Sequence, residues 1–329
     1  MSSIMVSCLS ASTLFSRLLR RRGHYLSEGR VDILRKFSER NTKKMAVTIA
    51  TSLSNTVKLI DGVDMPLFGL GTFLSESGAN NVAENAVVSA LQMGYRYIDT
   101  AVFYGNEEDV GRGIKRSGVK REDIFITTKI WHDCHGYEEC KKSFQASFKR
   151  LNCGYVDQLL IHSPNDGRNV ETYKAMLEFK EQGLVRSVGV SNFGIHHIQG
   201  LLDAGMPTPS VNQIEFHPWM RRPKLVDFCR KKNIVVVGYC PVVRQQKFDD
   251  PDVERLSKML NKSPAQILIR YSVQMGIITI PKSGNPKRIK ENAEVFDWEI
   301  PQEGMDSLNS KVESGITWDP CSSSNPWLG

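Results

Sequence analysis

Eight short runs of β-branched and aromatic residues recur along the chain, and most gaps between them contain an amphipathic stretch of helical length. The runs are centred near Gly69, Tyr97, Ile126, Leu159, Ser187, Gln213, Val236 and Ile278. The helical stretches cover residues 80–92, 107–116, 137–151, 170–182, 195–204, 224–232 and 264–274, and a last helix is expected beyond Glu303. Eight alternating strands and helices predict an α/β fold, a closed (β/α)8 TIM barrel of parallel strands.

The first strand follows a segment that has the pattern of a β-hairpin. Residues 57–66 hold two short apolar stretches on either side of Asp61 and Gly62, and Asp-Gly between apolar stretches is a strong hairpin signal. A hairpin in this place would plug the N-terminal mouth of the barrel. At the other end of the chain, the tail 318–329 is rich in Ser and Pro and is expected to form a loop over the barrel.

The positive charge of the chain is confined to its N-terminal segment. Residues 1–50 contain ten Lys or Arg against three Asp or Glu, which accounts for the whole net charge of +7. Since the remaining residues are neutral overall, the basic composition does not predict a nucleic acid partner.

The beginning of the chain has the composition of a targeting segment. Its first 22 residues contain six serines and four arginines, and no acidic residue precedes Glu28, which resembles a mitochondrial transit peptide. The alternatives are a disordered tail and a translation start at Met45. We therefore assign residues 1–55 to an N-terminal extension and residues 56–329 to the barrel domain. We expect a cytoplasmic protein, or a mitochondrial one if residues 1 to about 45 are a transit peptide.

Composition argues against several other classes of protein. The seven cysteines are odd in number and scattered without a paired CxxC spacing, so neither a disulfide framework nor a zinc site is predicted. The longest apolar run, 234–243, is about half the length of a membrane span and is interrupted by Gly238 and Pro241. We expect no membrane partner, and because no apolar stripe is left over from the predicted core faces, we expect a monomer.

Four residues that could take part in a reaction lie at or just after the ends of neighbouring predicted strands: Asp99, Tyr104, Lys129 and His162. In a parallel barrel the loops that follow the strands build the active site. A tyrosine has a pKa of about 10, and an ammonium group such as that of Lys129 is expected to lower it. Asp99 would keep Lys129 charged, while His162 could orient a substrate carbonyl. Each residue alone is more typical of a structural ion pair or a buried polar group, but together they predict proton donation to a developing alkoxide.

The same stretches of sequence resemble the aldo-keto reductase family. The matching motifs are Gly69-Leu70-Gly71-Thr72, residues 95–101 with 104–107, Thr128-Lys129, Leu160-Ile161-His162, residues 189–193, residues 212–218, and residues 280–283 with Arg288, Glu291 and Asn292. The resemblance covers residues 57–319. It implies reduction of small aldehydes or ketones with the cofactor NADPH/NADP+, with Tyr104 as proton donor, Lys129 and Asp99 tuning it, and His162 orienting the substrate.

The resemblance also implies a set of cofactor-binding residues. Ser191, Asn192 and Gln213 would hydrogen-bond the nicotinamide carboxamide, and Tyr239 would stack on the ring. Gly71 and Thr72 belong to the same implied site. The residues that match the segment gripping the 2′-phosphate are Lys282, Ser283, Arg288 and Asn292, where positive charge would favour NADP over NAD. The alternative for this last set is the start of an ordinary basic helix.

The chain departs from the family pattern around the substrate. Phe73 and Ser163 stand at positions where relatives often have Trp, so these walls are expected to be roomier. Trp131 would form an aromatic wall, although a core tryptophan that caps the barrel is an alternative. Open walls favour a broad, detoxifying range of substrates, such as glyoxals, aliphatic aldehydes or sugar-derived aldehydes. Cys240 replaces a frequent Ser and is expected to be either oxidation-sensitive or an inert buried thiol.

Two other functions remain as alternatives, and two unrelated motifs can be set aside. The chain could be a cofactor-binding, redox-sensing barrel with little turnover that partners another protein, or an enzyme that oxidises alcohols. Tyr137 and Lys141 have the spacing of a short-chain dehydrogenase, but the glycine fingerprint of a Rossmann fold is absent. The clustered residues His132, Cys134, His135 and Cys140 do not have the spacing of a common metal site, so no metal is expected.

Overall fold

A computed structural model describes residues 48–73, 81–165 and 167–322 of the chain. The predicted transit peptide and the alternative start at Met45 lie outside the described residues. The last residues of the predicted C-terminal loop, 323–329, lie outside them as well.

Eight parallel strands form a closed barrel, as the sequence pattern predicts. Two strands precede the barrel, so the strands are β1 Thr56–Lys58, β2 Asp64–Pro66, β3 Leu70–Gly71, β4 Tyr97–Asp99, β5 Phe125–Ile130, β6 Val156–Ile161, β7 Val185–Ser191, β8 Val211–Glu215, β9 Val235–Tyr239 and β10 Ile278–Thr279. The order in the sheet is sequential from β3 to β10. Parallel bridges from Phe68 to Thr279 and from Gly71 to Lys282 join the first strand to the last and close the barrel.

The predicted hairpin is present ahead of the barrel. Strands β1 and β2 pair antiparallel with Val57 opposite Met65, and the Gly62 N–H donates to the Leu59 carbonyl at 2.9 Å. Met65 is fully buried, and the turn residue Asp61 forms an ion pair of 2.9 Å with Lys180. Lys180 lies in the last turn of the helix that leads into β7, so the hairpin packs at the N-terminal ends of the strands.

Helices follow the strands of the barrel along the chain, and the last two come after β10. Their bounds are α1 Val82–Gln92, α2 Glu107–Ser117, α3 Tyr137–Leu151, α4 Asn169–Glu181, α5 Ile195–Asp203, α6 Pro223–Lys231, α7 Pro251–Leu260, α8 Pro264–Gln274, α9 Pro286–Ala293 and α10 Gln302–Asn309. Residues 282–292, which were predicted to bind the 2′-phosphate with an ordinary basic helix start as the alternative, contain most of α9. Within the described ranges, no helix is long and apolar enough to cross a membrane.

Helix α7 is absent from the sequence-based assignment, although its start carries a clear signal. Asp250 accepts a hydrogen bond from the Asp252 N–H at 3.0 Å, and Pro251 occupies the first turn. Aspartate at the N-cap followed by proline is a favoured helix start. The next helix, α8, was predicted from the same kind of signal, and Ser263 and Gln266 cap it reciprocally.

The two ends of the barrel carry different polar groups. At the N-terminal ends of the strands, the buried carboxylate of Asp157 accepts hydrogen bonds from Arg121 and Arg186, each at 2.7 Å, and from the Ile126 N–H at 2.9 Å. The Asp157 carboxylate therefore has hydrogen-bond donors from both side chains and backbone, and these contacts stabilise the N-terminal end of the barrel. The C-terminal ends of the strands instead open into a cavity.

Candidate active site

The topology brings the predicted reactive residues together at the C-terminal ends of three adjacent strands. Asp99 is the last residue of β4, Lys129 is the penultimate residue of β5, and His162 directly follows β6. Tyr104 ends a short 3-10 turn, Val102–Tyr104, that follows β4. Because β4, β5 and β6 pair in parallel, these side chains converge at one end of the barrel.

The loop that carries Tyr104 is fixed by the buried side chain of Asn106. The amide nitrogen of Asn106 donates to the Thr72 carbonyl at 2.8 Å, and its amide oxygen accepts from the Thr100 hydroxyl at 2.9 Å. Asn106 therefore ties the loop after β4 to the chain that follows β3. This contact limits the freedom of the Tyr104 backbone.

Lys129 is fully buried, and each of its three N–H groups has an acceptor. Its Nζ donates to Asp99 Oδ1 at 2.6 Å, to the Thr100 carbonyl at 2.8 Å and to the Tyr104 hydroxyl oxygen at 3.1 Å. An ammonium group can only donate, so Tyr104 must accept in this contact. The hydroxyl proton of Tyr104 is consequently free to be donated to another group.

The second oxygen of the Asp99 carboxylate is also occupied. Gln213 Nε2 donates to Oδ2 at 2.7 Å and the Tyr97 hydroxyl donates to it at 3.3 Å. The backbone carbonyl of Asp99 accepts from the Thr72 hydroxyl at 2.9 Å. Asp99 is thus a fixed anchor that connects Lys129 to one of the predicted carboxamide-binding residues.

The pKa of Tyr104 is shifted in the direction opposite to the sequence prediction. Burial, and then the negative charge of Asp99, raise this pKa well above its usual value of 10.0. The prediction of a lowered pKa was wrong, because burial of the phenol disfavours the phenolate and the negative charge of Asp99 acts in the same direction. Tyr104 is therefore held as the protonated phenol, the form that an acid requires.

His162 is held in its neutral form. Burial, and then the charge of Lys129, lower the pKa of His162 well below 6.5. Among the described residues, no hydrogen-bond partner is found for its buried Nδ1, while its carbonyl accepts from Asn192 Nδ2 at 3.0 Å. A neutral imidazole with unused hydrogen-bonding capacity is suited to contact a polar ligand.

A cavity of about 1260 Å³ lies above these residues, which is larger than an ordinary small-molecule pocket of roughly 300–1,000 Å³. Nearly every predicted site residue lines it: Gly71, Thr72, Phe73, Asp99, Tyr104, Trp131, His162, Ser191, Asn192, Gln213, Tyr239, Lys282, Ser283, Arg288 and Asn292. Lys129 lies buried behind this wall. The structure therefore brings the predicted reactive and cofactor-binding residues to one continuous surface.

One part of the cavity wall is basic. Lys282 and Arg288 line it, and Arg244, from the loop after β9, joins them. Burial, and then the charges of Arg244 and Arg288, lower the pKa of Lys282, as expected when cations share a pocket. Arg244 was not predicted as a site residue, although it follows a strand end, where barrel sites are built.

The part of the wall nearest Tyr104 is aromatic. Four side chains form what we call the aromatic rim: Phe73, Phe103, Trp131 and Trp318. Phe73 and Trp131 were predicted to contact substrate, whereas Phe103 and Trp318 were not identified from the sequence. Ser163, expected to widen the pocket, is fully buried and is not among the described residues that line the cavity.

The segment before Trp318 is tied to the barrel by a buried carboxylate. Glu215 accepts from the Ile316 N–H at 2.6 Å and from the Thr317 N–H at 3.2 Å. The Tyr239 hydroxyl lies 3.2 Å from the Thr317 hydroxyl and donates to Asn192 Oδ1 at 2.8 Å. This chain of contacts positions both Tyr239 and the C-terminal side of the cavity. The prediction that residues after 318 cover the barrel did not identify these contacts.

Residues of the alternative motifs take structural roles in the described part of the chain. Tyr137 and Lys141 both bond to Glu178 of α4, and neither lines the cavity. Cys240 does line it, but burial, and then Glu215, raise the pKa of its thiol to about 11. Little thiolate exists at neutral pH under those conditions, which favours the inert interpretation of Cys240.

Comparisons with known proteins all match this chain to aldo/keto reductases. Residues 67–313 match the sequence profile of the aldo/keto reductase family. The glyoxal reductase of Bacillus subtilis is 44% identical over 260 residues, which cover 79% of this chain and 94% of the relative. A solved aldo-keto reductase from a deep-sea metagenome library is 39% identical with a TM-score of 0.77, covering 82% of this chain and 100% of the other. A Bombyx mori aldo-keto reductase solved in complex with NADP is 35% identical with a TM-score of 0.72, covering 79% and 93%.

Proposed function

The chain belongs to the aldo/keto reductase family, and from that premise we propose that it reduces aldehydes and ketones to alcohols with NADPH, with Tyr104 as the proton donor. One observation carries the proposal. Lys129 donates its third N–H to the Tyr104 hydroxyl oxygen at 3.1 Å, which leaves the hydroxyl proton of Tyr104 free at the wall of the cavity. A turnover assay tests it, in which loss of NADPH absorbance with methylglyoxal or benzaldehyde must be matched by formation of alcohol.

Tyr104 acts as the general acid. Its raised pKa keeps it protonated, and a developing alkoxide is a strong enough base to take the proton even from a weak phenolic acid. Lys129 then faces the phenolate that is left, and the ammonium stabilises that negative charge at a contact of 3.1 Å. Asp99 acts through Lys129 as a positioning residue, since its carboxylate holds Nζ at 2.6 Å.

His162 orients the carbonyl group. Its ring meets that of Tyr104 edge-on with centroids 5.7 Å apart, so one carbonyl oxygen could contact both side chains. Because the imidazole is neutral, it can donate one N–H to that oxygen without adding a positive charge beside Lys129. This arrangement fixes the carbonyl in the line of the Tyr104 proton.

The residues that line the cavity fit a phosphorylated dinucleotide. When bound, NADPH supplies the hydride that the carbonyl carbon accepts. Gln213 is held by Asp99 through its amide nitrogen, so its amide oxygen is left to accept from a carboxamide. Ser191, Asn192 and Tyr239 line the same wall, while Lys282 and Arg288 place positive charge where phosphate would lie.

Replacing both Lys282 and Arg288 with Met should weaken NADPH binding about a hundredfold, because two charge-assisted contacts to the 2′-phosphate are lost. NADH, which lacks that phosphate, should be affected by less than about threefold in the same equilibrium binding titration. Lys287→Met is the matched control, because Lys287 is an exposed cation on α9 that does not line the cavity. Equal weakening of NADPH and NADH binding would refute the assignment.

The pH dependence of reduction tests the protonation states. The pKa of His162 is lowered well below 6.5 by burial and by Lys129, and that of Tyr104 is raised well above 10.0 by burial and by Asp99. Both groups therefore keep their protonation state as the pH falls through 6.5. We expect kcat/KM for an aldehyde to stay flat between about pH 8 and about pH 6. A fall with an apparent pKa near 6.5 that disappears in His162→Asn would show that His162 titrates normally.

The raised pKa of Tyr104 also bears on the alternative of an oxidative role. To oxidise an alcohol, Tyr104 would have to accept a proton as the phenolate, and burial and Asp99 disfavour that form. The sensor alternative predicts NADPH binding without turnover, and no contact among the described residues favours it. Reduction is the direction for which Tyr104 is already in the required state.

A further inference from the structure

The aromatic rim lies directly against the two residues that would contact the reacting carbonyl. Phe73 approaches Tyr104 with ring centroids 5.0 Å apart. Phe103 and Trp131 meet the His162 ring at nearly right angles, with centroid distances of 6.3 and 4.9 Å. A substrate whose carbonyl reaches Tyr104 and His162 must therefore place its remaining atoms among these rings.

Phe103 is the central member of the rim. Its ring stacks on Trp131 with centroids 4.0 Å apart and planes 15° apart, and the ring of Phe73 is within 18° of parallel to it at 6.2 Å. Although its position is fixed by this stack, Phe103 is 52% exposed. Trp131 covers one face of the Phe103 ring, and the flat apolar surface that remains lines the cavity next to Tyr104.

The described residues in this part of the cavity offer little to polar substrates. Asp99 lines the cavity but is bound to Lys129. The other charged side chains that line it belong to the loop after β9 and to residues 282–291: Arg244, Lys282, Arg288 and Glu291. The hydroxyl of Thr317, beside Trp318, is already bonded to Glu215. A polyhydroxylated substrate would lose hydrogen bonds to water here without regaining them, which costs binding free energy.

We infer that Phe103 is a specificity-determining residue that selects planar conjugated carbonyl compounds, such as aryl aldehydes, by stacking their π-system beside Tyr104. The inference rests on the proposed carbonyl reduction and names the substrate class of that site. A flat substrate gains ring-to-ring contact with Phe103, whereas a puckered ring of similar size cannot match the plane. Substrates with several hydroxyl groups are selected against by the same surface.

The experiment compares benzaldehyde with cyclohexanecarboxaldehyde, which are similar in size but differ in planarity, and adds glyceraldehyde as a hydroxylated aldehyde. Intrinsic reactivity cancels when the benzaldehyde-to-cyclohexanecarboxaldehyde ratio of kcat/KM in a variant is divided by that in the wild type. In Phe103→Leu this ratio should fall about fivefold, mainly through a higher KM for benzaldehyde. In Phe103→Tyr, which keeps the ring, it should stay within about twofold.

Met259→Ala is the matched control, because Met259 lies on α7 away from the cavity and is also 52% exposed. An unchanged ratio in Phe103→Leu, or an equal fall in Met259→Ala, would overturn the inference while leaving carbonyl reduction intact. A wild type that reduces glyceraldehyde with higher kcat/KM than benzaldehyde would do the same. A wild type that binds NADPH but reduces none of the three aldehydes would instead overturn the proposed function, and the inference with it.

Discussion

Tyr104→Phe is expected to lower kcat for aldehyde reduction by about a thousandfold while NADPH binding stays within about twofold of the wild type. The substitution removes the hydroxyl proton that Lys129 leaves free, but it keeps the ring that packs against Phe73 and His162. A positioned general acid contributes on the order of 10²–10⁴ in rate, so no other single hydroxyl in the cavity should have a comparable effect.

Single-turnover reduction with bound NADPH measures this loss at the chemical step, and equilibrium titration measures cofactor binding. Tyr137→Phe is the matched control, because it removes a tyrosine hydroxyl that bonds to Glu178 and does not line the cavity. The assignment of Tyr104 fails if the Phe variant keeps more than about a tenth of wild-type kcat, or if its NADPH affinity falls as far as its rate.

Lys129→Met is expected to have the largest effect on stability, about 3–5 kcal/mol of unfolding free energy, together with loss of activity. The ammonium is fully buried and pairs with the equally buried Asp99 at 2.6 Å. Without it, a carboxylate stays buried with only the neutral donors Gln213 and Tyr97.

The double variant Lys129→Met with Asp99→Asn separates stability from catalysis. Removing the orphaned charge should restore most of the unfolding free energy, because a neutral amide can still accept from Gln213 and Tyr97. Activity should remain lost, because nothing then stabilises the Tyr104 phenolate. Chemical denaturation at pH 7 measures the first quantity, and recovery of activity in the double variant would contradict the role given to Lys129.

The barrel and its reactive end could be predicted because both follow from local pattern. A run of β-branched residues indicates each strand, and in a parallel barrel the strand order follows from the sequence order alone. Asp99, Lys129 and His162 could therefore be placed side by side without knowledge of their side-chain contacts. Helix α7 was missed although Asp250 and Pro251 provide the same type of start signal as Ser263 and Pro264 do for α8.

The electrostatics could not be predicted from the same pattern. The pKa of Tyr104 is raised first by burial and then by the charge of Asp99, and both depend on how the folded chain packs around the phenol. Asp99 also accepts a hydrogen bond from Gln213, which lies 114 positions away in the chain. No local sequence pattern predicts this contact.

The residues of the outer cavity walls could not be predicted from the sequence for a related reason. Trp318 and Thr317 reach the site from the C-terminal segment, and they are held there by Glu215 on β8, about a hundred positions earlier in the sequence. Phe103 was overlooked beside Tyr104 because a single exposed aromatic residue is common on protein surfaces. Only its stacking on Trp131 distinguishes it.

The proposed reaction transfers hydride from NADPH to a carbonyl carbon while Tyr104 provides the proton. Reduction of benzaldehyde with NADPH that carries deuterium at both C4 positions of the dihydronicotinamide, followed by mass spectrometry of the product, tests this transfer. The wild type should form benzyl alcohol with deuterium on the carbinol carbon, and Tyr104→Phe should form almost none. Alcohol without deuterium, or equal product from the two proteins, would contradict it.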